Sequence, residues 1–114
     1  MTETIMVPFF DPGVEDCGSY PHKIELTEKY IEVWSFANVK YDDEDTGIRR
    51  QGTIDDQKIV LKANTVGVYL YQGVKYQNYV LRIYFTGAQD SDIFFQEKDK
   101  AKLVYNKIRT WLLA

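Results

Sequence analysis

A chain of 114 residues has room for one hydrophobic core and little room for two. Its formal net charge of −3 provides no overall basic field, which argues against nucleic acid or anionic lipid as an electrostatic partner. The single cysteine, Cys17, excludes an intramolecular disulfide and fits a reducing compartment.

Hydrophobic residues make up 45% of the chain and charged residues 27%, an ordinary globular balance. The aromatic share, 15%, is high, and nine tyrosines and six phenylalanines supply most of it. Such side chains suit half-buried pleated surfaces, so composition leans towards β structure. No run approaches the roughly 18 apolar residues of a membrane span. Residues 1–7 carry Glu3 and no basic residue, unlike a secretory signal. The expected location is cytoplasmic, without integral membrane contact.

Residues 1–22 read as an N-terminal arm lying over the domain. Pro8 interrupts the apolar stretch 5–10 and restricts it to an edge or extended segment. Asp11-Pro12-Gly13 is a turn signal, and Gly18, Ser19 and Pro21 prolong the loop. From residue 23 to 114 the chain reads as one domain. Ile24 and Leu26, then Ile31 and Val33, alternate with polar or aromatic neighbours, the period of strands with one face inward. Glu28-Lys29 separates them as a hairpin turn, and Val39 and Tyr41 read as the start of another strand. Residues 42–47 form an acidic loop in which like charges repel and favour solvation. Short apolar runs at Ile54 and at 59–61 follow, with Asp55-Asp56 as the turn between them.

From Thr65 the alternation is clearest. Val66, Val68 and Leu70 take one face, with Gly67, Tyr69 and Tyr71 on the other. Gly73 lies in the next turn. Leu81, Ile83 and Phe85 then alternate with Val80, Arg82 and Tyr84. Gly87 marks a further turn before a strand at 93–96. Short connections make this an antiparallel meander. Beyond residue 97 the rhythm changes. Ala101, Val104, Ile108 and Leu112 recur at spacings of three and four, flanked by Tyr105 and Trp111, which predicts an amphipathic helix over 97–113. No Ser or Thr caps its start, although Glu97 and Asp99 suit the positive end of the helix dipole. The expected fold class is β-rich α+β: a strongly bent antiparallel sheet or barrel of about seven strands, capped by this helix.

That order of strands and helix, with Trp111 in the last turns, resembles the pleckstrin-homology-like domains, including their bacterial and GRAM-type branches. The stretch that carries the resemblance most is IVLKANTVGVYLYQGVKYQNYVLRIYFTGAQDSDIFFQEKDKAKLVYNKIRTWL. The resemblance implies a bent barrel closed at one end by the helix. It also implies binding of a phosphoinositide, a peptide or another protein, without selecting among them. Lipid-binding members carry clustered Lys and Arg in the first hairpin loop. The nearest loop here, 42–47, is acidic, which argues against phosphoinositide binding at that place.

Catalytic and metal signals are weak. His22 is the single histidine and lacks partners at ligand spacing. Cys17 sits beside Glu15 and Asp16, which disfavour a thiolate. The acids at 42–45, 55 and 56 lack the spacing of a calcium loop. No cofactor, metal or enzymatic activity is therefore expected. Arg49 and Arg50 read as partners for the abundant acids. The tyrosines are the more specific feature. Tyr69, Tyr71 and Tyr84 should share one sheet face with Arg82, and Tyr76 lies in the adjoining loop. Tyrosine is large, stiff and amphipathic, the chemistry of binding hot spots, while ordinary cross-strand packing is the competing explanation. The functional expectation is a non-catalytic module that binds a protein partner or itself through Tyr69, Tyr71, Tyr76, Tyr84 and Arg82. The alternative is a small acidic regulator or inhibitor, of the kind phages encode, that blocks a larger enzyme.

Overall fold

The computed structural model describes residues 2–8, 10, 19–42, 44–73 and 78–114. The turn at 11–13, together with Cys17, Asp43 and Tyr76, lies outside the described residues. Four strands, β1 (Glu3–Met6), β2 (Ser19–Leu26), β3 (Tyr30–Asp42) and β4 (Arg49–Leu61), form one antiparallel sheet in chain order. After a short 3-10 turn at Lys62–Asn64, β5 (Thr65–Gln72), β6 (Tyr79–Phe85) and β7 (Ser91–Phe95) form a second. One helix, α1 (Lys98–Leu113), ends the chain. The β-rich class, the seven strands and the closing helix agree with the sequence pattern. Among the described residues the two sheets do not close into a barrel, and each keeps two edge strands.

Local chemistry explains the turns. The β2–β3 hairpin turns at Glu28-Lys29, but Thr27 organises it. Its hydroxyl accepts the backbone N–H of Lys29 at 3.2 Å and of Tyr30 at 3.0 Å, and donates to the Tyr30 carbonyl at 3.1 Å. The β6–β7 turn places Gly87 at φ +79°, where a side chain would be strained. At the start of the β5–β6 connection, Gly73 donates its N–H to the Asn78 carbonyl at 2.7 Å. A Cβ at Gly73 would collide with the Asn78 side chain, which is 2% exposed.

The strands depart from the sequence pattern at several places. Asp55-Asp56 is not a turn: both residues lie inside β4, paired with Phe36 and Ser35 of β3. Val39 and Tyr41 belong to β3 itself rather than to a new strand. Thirteen consecutive pairs join β3 to β4, and such a ladder outweighs the poor strand propensity of two aspartates. Beyond Ala37 this ribbon outruns β2, which contributes to the elongated 53 × 31 × 22 Å shape. Val66 does not face the core either. The pairing slips between Thr65 and Gly67, so buried Thr65 turns inward, its hydroxyl 3.2 Å from the Leu61 carbonyl, and Val66 is 61% exposed.

The core is continuous across all layers. Ile5 and Val7 bring the first strand into it, so the segment expected as an arm contributes an edge strand paired with β2. Ile24, Leu26, Ile31, Val33 and Val60 come from the first sheet; Leu81, Ile83, Phe85, Ile93 and Phe95 come from the second. Helix α1 lays buried Ala101, Val104 and Ile108 against them, the stripe expected from the spacing. Its start, Glu97, makes no side-chain cap bond. Its end is tied down: Trp111 Nε1–H donates to the Thr27 carbonyl at 2.6 Å. No helix among the described residues is long and apolar enough to cross a membrane.

The two sides of α1 should respond differently to truncation. Ile108 is fully buried, so Ile108→Ala should lower unfolding stability by about 2–5 kcal/mol. Leu103 is 58% exposed, so Leu103→Ala should stay within about 0.5 kcal/mol. Urea denaturation followed by circular dichroism measures both; equal losses would contradict the orientation of the helix.

Candidate functional site: an aromatic face on the second sheet

The outer face of β5–β7 is built by period-two alternation. Where Leu81, Ile83, Ile93 and Phe95 turn inward, Arg82, Tyr84, Asp92 and Phe94 turn outward. Register sets them in rows. Tyr69, Arg82 and Asp92 are directly opposite one another across the three strands. Tyr71, Val80 and Phe94 form the next row, and Val80 between its two aromatic neighbours is only 5% exposed.

The centre of the face is a charge pair. Arg82 Nε lies 2.6 Å from Asp92 Oδ1, and Nη2 lies 2.9 Å from Oδ2, a two-pronged clamp. Both side chains remain about one-third exposed. Hydrogen bonding to Asp92, then to the Tyr84 phenol, holds the guanidinium charged well above its ordinary range. Tyrosine rings surround the pair. Tyr69 meets Tyr84 edge to face at 5.2 Å, and the guanidinium carbon lies 5.8 Å from the Tyr71 ring and 5.9 Å from that of Tyr84. Loss of solvent around Tyr71, and after it the nearby Asp92 charge, push its phenol above the usual value.

The structure thus brings together Tyr69, Tyr71, Tyr84 and Arg82, four of the five residues expected at the site. Tyr69 is 60% exposed and Tyr71 41%, while Tyr84 is half-buried. Asp92 and Phe94 complete the face and were not singled out from the sequence. Their signal was present: each flanks buried Ile93, so both must share the face of Arg82.

The other candidates lie elsewhere. His22 occupies a β-bulge in β2 and stacks on Phe36, with ring centroids 4.3 Å apart. Glu44 and Asp45 are exposed in the β3–β4 turn, where Gly47 adopts φ +67°. In backbone register Arg49 is opposite Asp42 and Arg50 opposite Tyr41. Among the described residues no three His, Cys, Asp or Glu side chains gather as a metal site.

The first sheet carries a second apolar outer surface, which strand alternation alone does not single out. Met6, Phe36, Ile59 and Leu61 are exposed there, with half-buried Trp34 among them. Lys23 Nζ lies 3.4 Å from the Trp34 ring centroid, and the buried Trp34 Nε1 has no hydrogen-bond partner among the described residues. Glu32 is 6% exposed on that side and accepts a hydrogen bond from the Gln57 side-chain amide.

No family model matches this chain, and neither does any curated protein or solved structure.

Tyr71 gives the face a pH signature. Its proton is held more firmly in the folded chain than in the unfolded one, where the phenol ionises near 10. The resulting stabilisation is fully present below about pH 10 and is lost as pH rises through the higher folded value. Absorbance titration should show a late-ionising tyrosine that Tyr71→Phe removes. The same substitution should lessen the fall in stability as pH rises above about 10. Identical titrations for the two proteins would contradict the assignment.

Proposed function

We propose that this chain is a non-catalytic protein-interaction module of pleckstrin-homology-like shape, and that it engages a protein partner or a second copy through the outer face of β5–β7. Supporting the shape is the order of elements: a four-stranded meander, a three-stranded meander and a C-terminal helix whose last turns carry Trp111.

The observation that carries the functional reading is the exposure of Tyr69 and Tyr71 beside a guanidinium already matched by a carboxylate. Rigid aromatic rings provide contact area at small entropic cost, and their phenols keep the surface wettable before a partner arrives. The two-pronged clamp directs both forks of Arg82 at Asp92 rather than at an incoming phosphate. A protein surface, with its mixture of apolar and neutral polar groups, suits such a face better than a polyanion. The cytoplasmic location expected from the lone cysteine belongs to the same proposal.

Tyr69→Ala and Tyr71→Ala together test it. Tyr69 is 60% and Tyr71 41% exposed, and neither belongs to the core cluster, so the double variant should stay folded. Its affinity for a captured protein partner, or its self-association by sedimentation, should fall at least about tenfold, the scale of one hot-spot loss. A wild-type chain that stays monomeric, with partners held equally by the double variant, would remove the basis for the proposal.

A further inference from the structure

A groove of about 450 Å3 lies between the last turns of α1 and the β2–β3 turn, on residues separate from the aromatic face. Small-molecule sites span roughly 300–1,000 Å3, so this one is large enough for a ligand and too small for a folded partner. Half-buried Trp111 provides an apolar wall, and Leu26, 2% exposed, lies beneath the groove. The indole is held in place by its hydrogen bond to the Thr27 carbonyl. That wall is therefore preformed, and binding need not order it.

Charge at the rim is balanced in number and partly paired. Two lysines, Lys62 and Lys107, and two glutamates, Glu3 and Glu28, line the groove. Lys107 Nζ lies 3.2 Å from Glu3 Oε1. Lys62 Nζ donates to the Ala114 carbonyl at 3.1 Å and lies 5.4 Å from the Trp111 ring centroid. An ionic ligand would compete with these contacts, whereas an uncharged one leaves them intact. Asn106 and Thr110 also line the groove, and their side chains have no hydrogen-bond partner among the described residues. They supply the few neutral polar groups that orient a ligand over an apolar floor.

We propose that this groove binds an uncharged small molecule with an aromatic body, lodged against Trp111 and Leu26 and oriented by Asn106 or Thr110. The proposal is independent of the aromatic face.

The test uses N-phenylnaphthylamine, an uncharged fluorescent probe, and its anionic counterpart anilinonaphthalene sulfonate. The uncharged probe should bind the full chain saturably at one site. It should also shift the Trp111 indole N–H resonance, with Trp34→Phe identifying the other indole signal. Asn106→Trp and Thr110→Trp fill the groove from exposed helix positions and should each weaken binding at least about tenfold. The double variant of Tyr69 and Tyr71 should bind the probe as the wild type does. Non-saturable binding, an unmoved Trp111 resonance, or equal or tighter binding of the sulfonate would each overturn the proposal. The resonance is read on the unmodified chain, so the outcome does not depend on how well the tryptophan variants fold.

Discussion

Each of the two sheets has an apolar inner face, and neither can bury that face alone. The packing of α1 resolves this. Ala101, Val104 and Ile108 fill the space above β5, β6 and β7, and the same side chains are continuous with Ile24, Ile31 and Leu26 from the first sheet. The helix in turn depends on them, because a 16-residue segment with no side-chain cap is marginal without tertiary contacts. Trp111 secures the arrangement by reaching back to the Thr27 carbonyl, 84 residues earlier in the chain. The hairpin turn and the helix terminus therefore hold each other, and the groove between them inherits a fixed wall.

A second connection spans the sheets at β4. Lys58 reaches from that strand to the Gln89 carbonyl at 2.7 Å and the Ser91 hydroxyl at 3.1 Å. Its ammonium is partly withdrawn from water, which pulls its pKa below the ordinary lysine value, while Asp56 and Asp90 oppose that shift. Burying charge here is tolerated because the head group finds hydrogen-bond acceptors and lies 5.6 Å from the Phe85 ring centroid. The open junction is bridged by a polar strut where a closed barrel would have used a continuous ladder.

The outer faces differ in kind. On the second sheet, aromatic rings encircle a matched Arg82–Asp92 pair, so the surface is apolar in area yet hydrogen-bonded at its centre. On the first, Met6, Ile59 and Leu61 stand exposed near Trp34, and the polar contacts are lateral, between Glu32 and Gln57 and between Lys23 and the indole. Antiparallel sheets commonly keep one face polar, and here neither outer face is uniformly so. The preference for the second as a docking surface rests on its tyrosines, which tolerate water and contact proteins with little loss of freedom.

Much of this was legible in the residues themselves. Period two from Val68 to Phe85 placed Tyr69, Tyr71, Arg82 and Tyr84 on one face, and the change to spacings of three and four placed Ala101, Val104 and Ile108 on a helix. Such signals survive because they repeat, and each position supports the next. What the alternation did not reveal depended on single events or on long-range pairing. The slip at Val66 reversed one residue without altering composition, Asp55 and Asp56 became strand because β3 lay opposite them, and the turn at Glu28-Lys29 is organised by the Thr27 hydroxyl before it. Asp92 as the partner of Arg82, the groove beside Trp111 and the open edges of both sheets were decided by how strands meet across space. Local patterning specifies which way a side chain faces, but only the packed chain specifies what it faces.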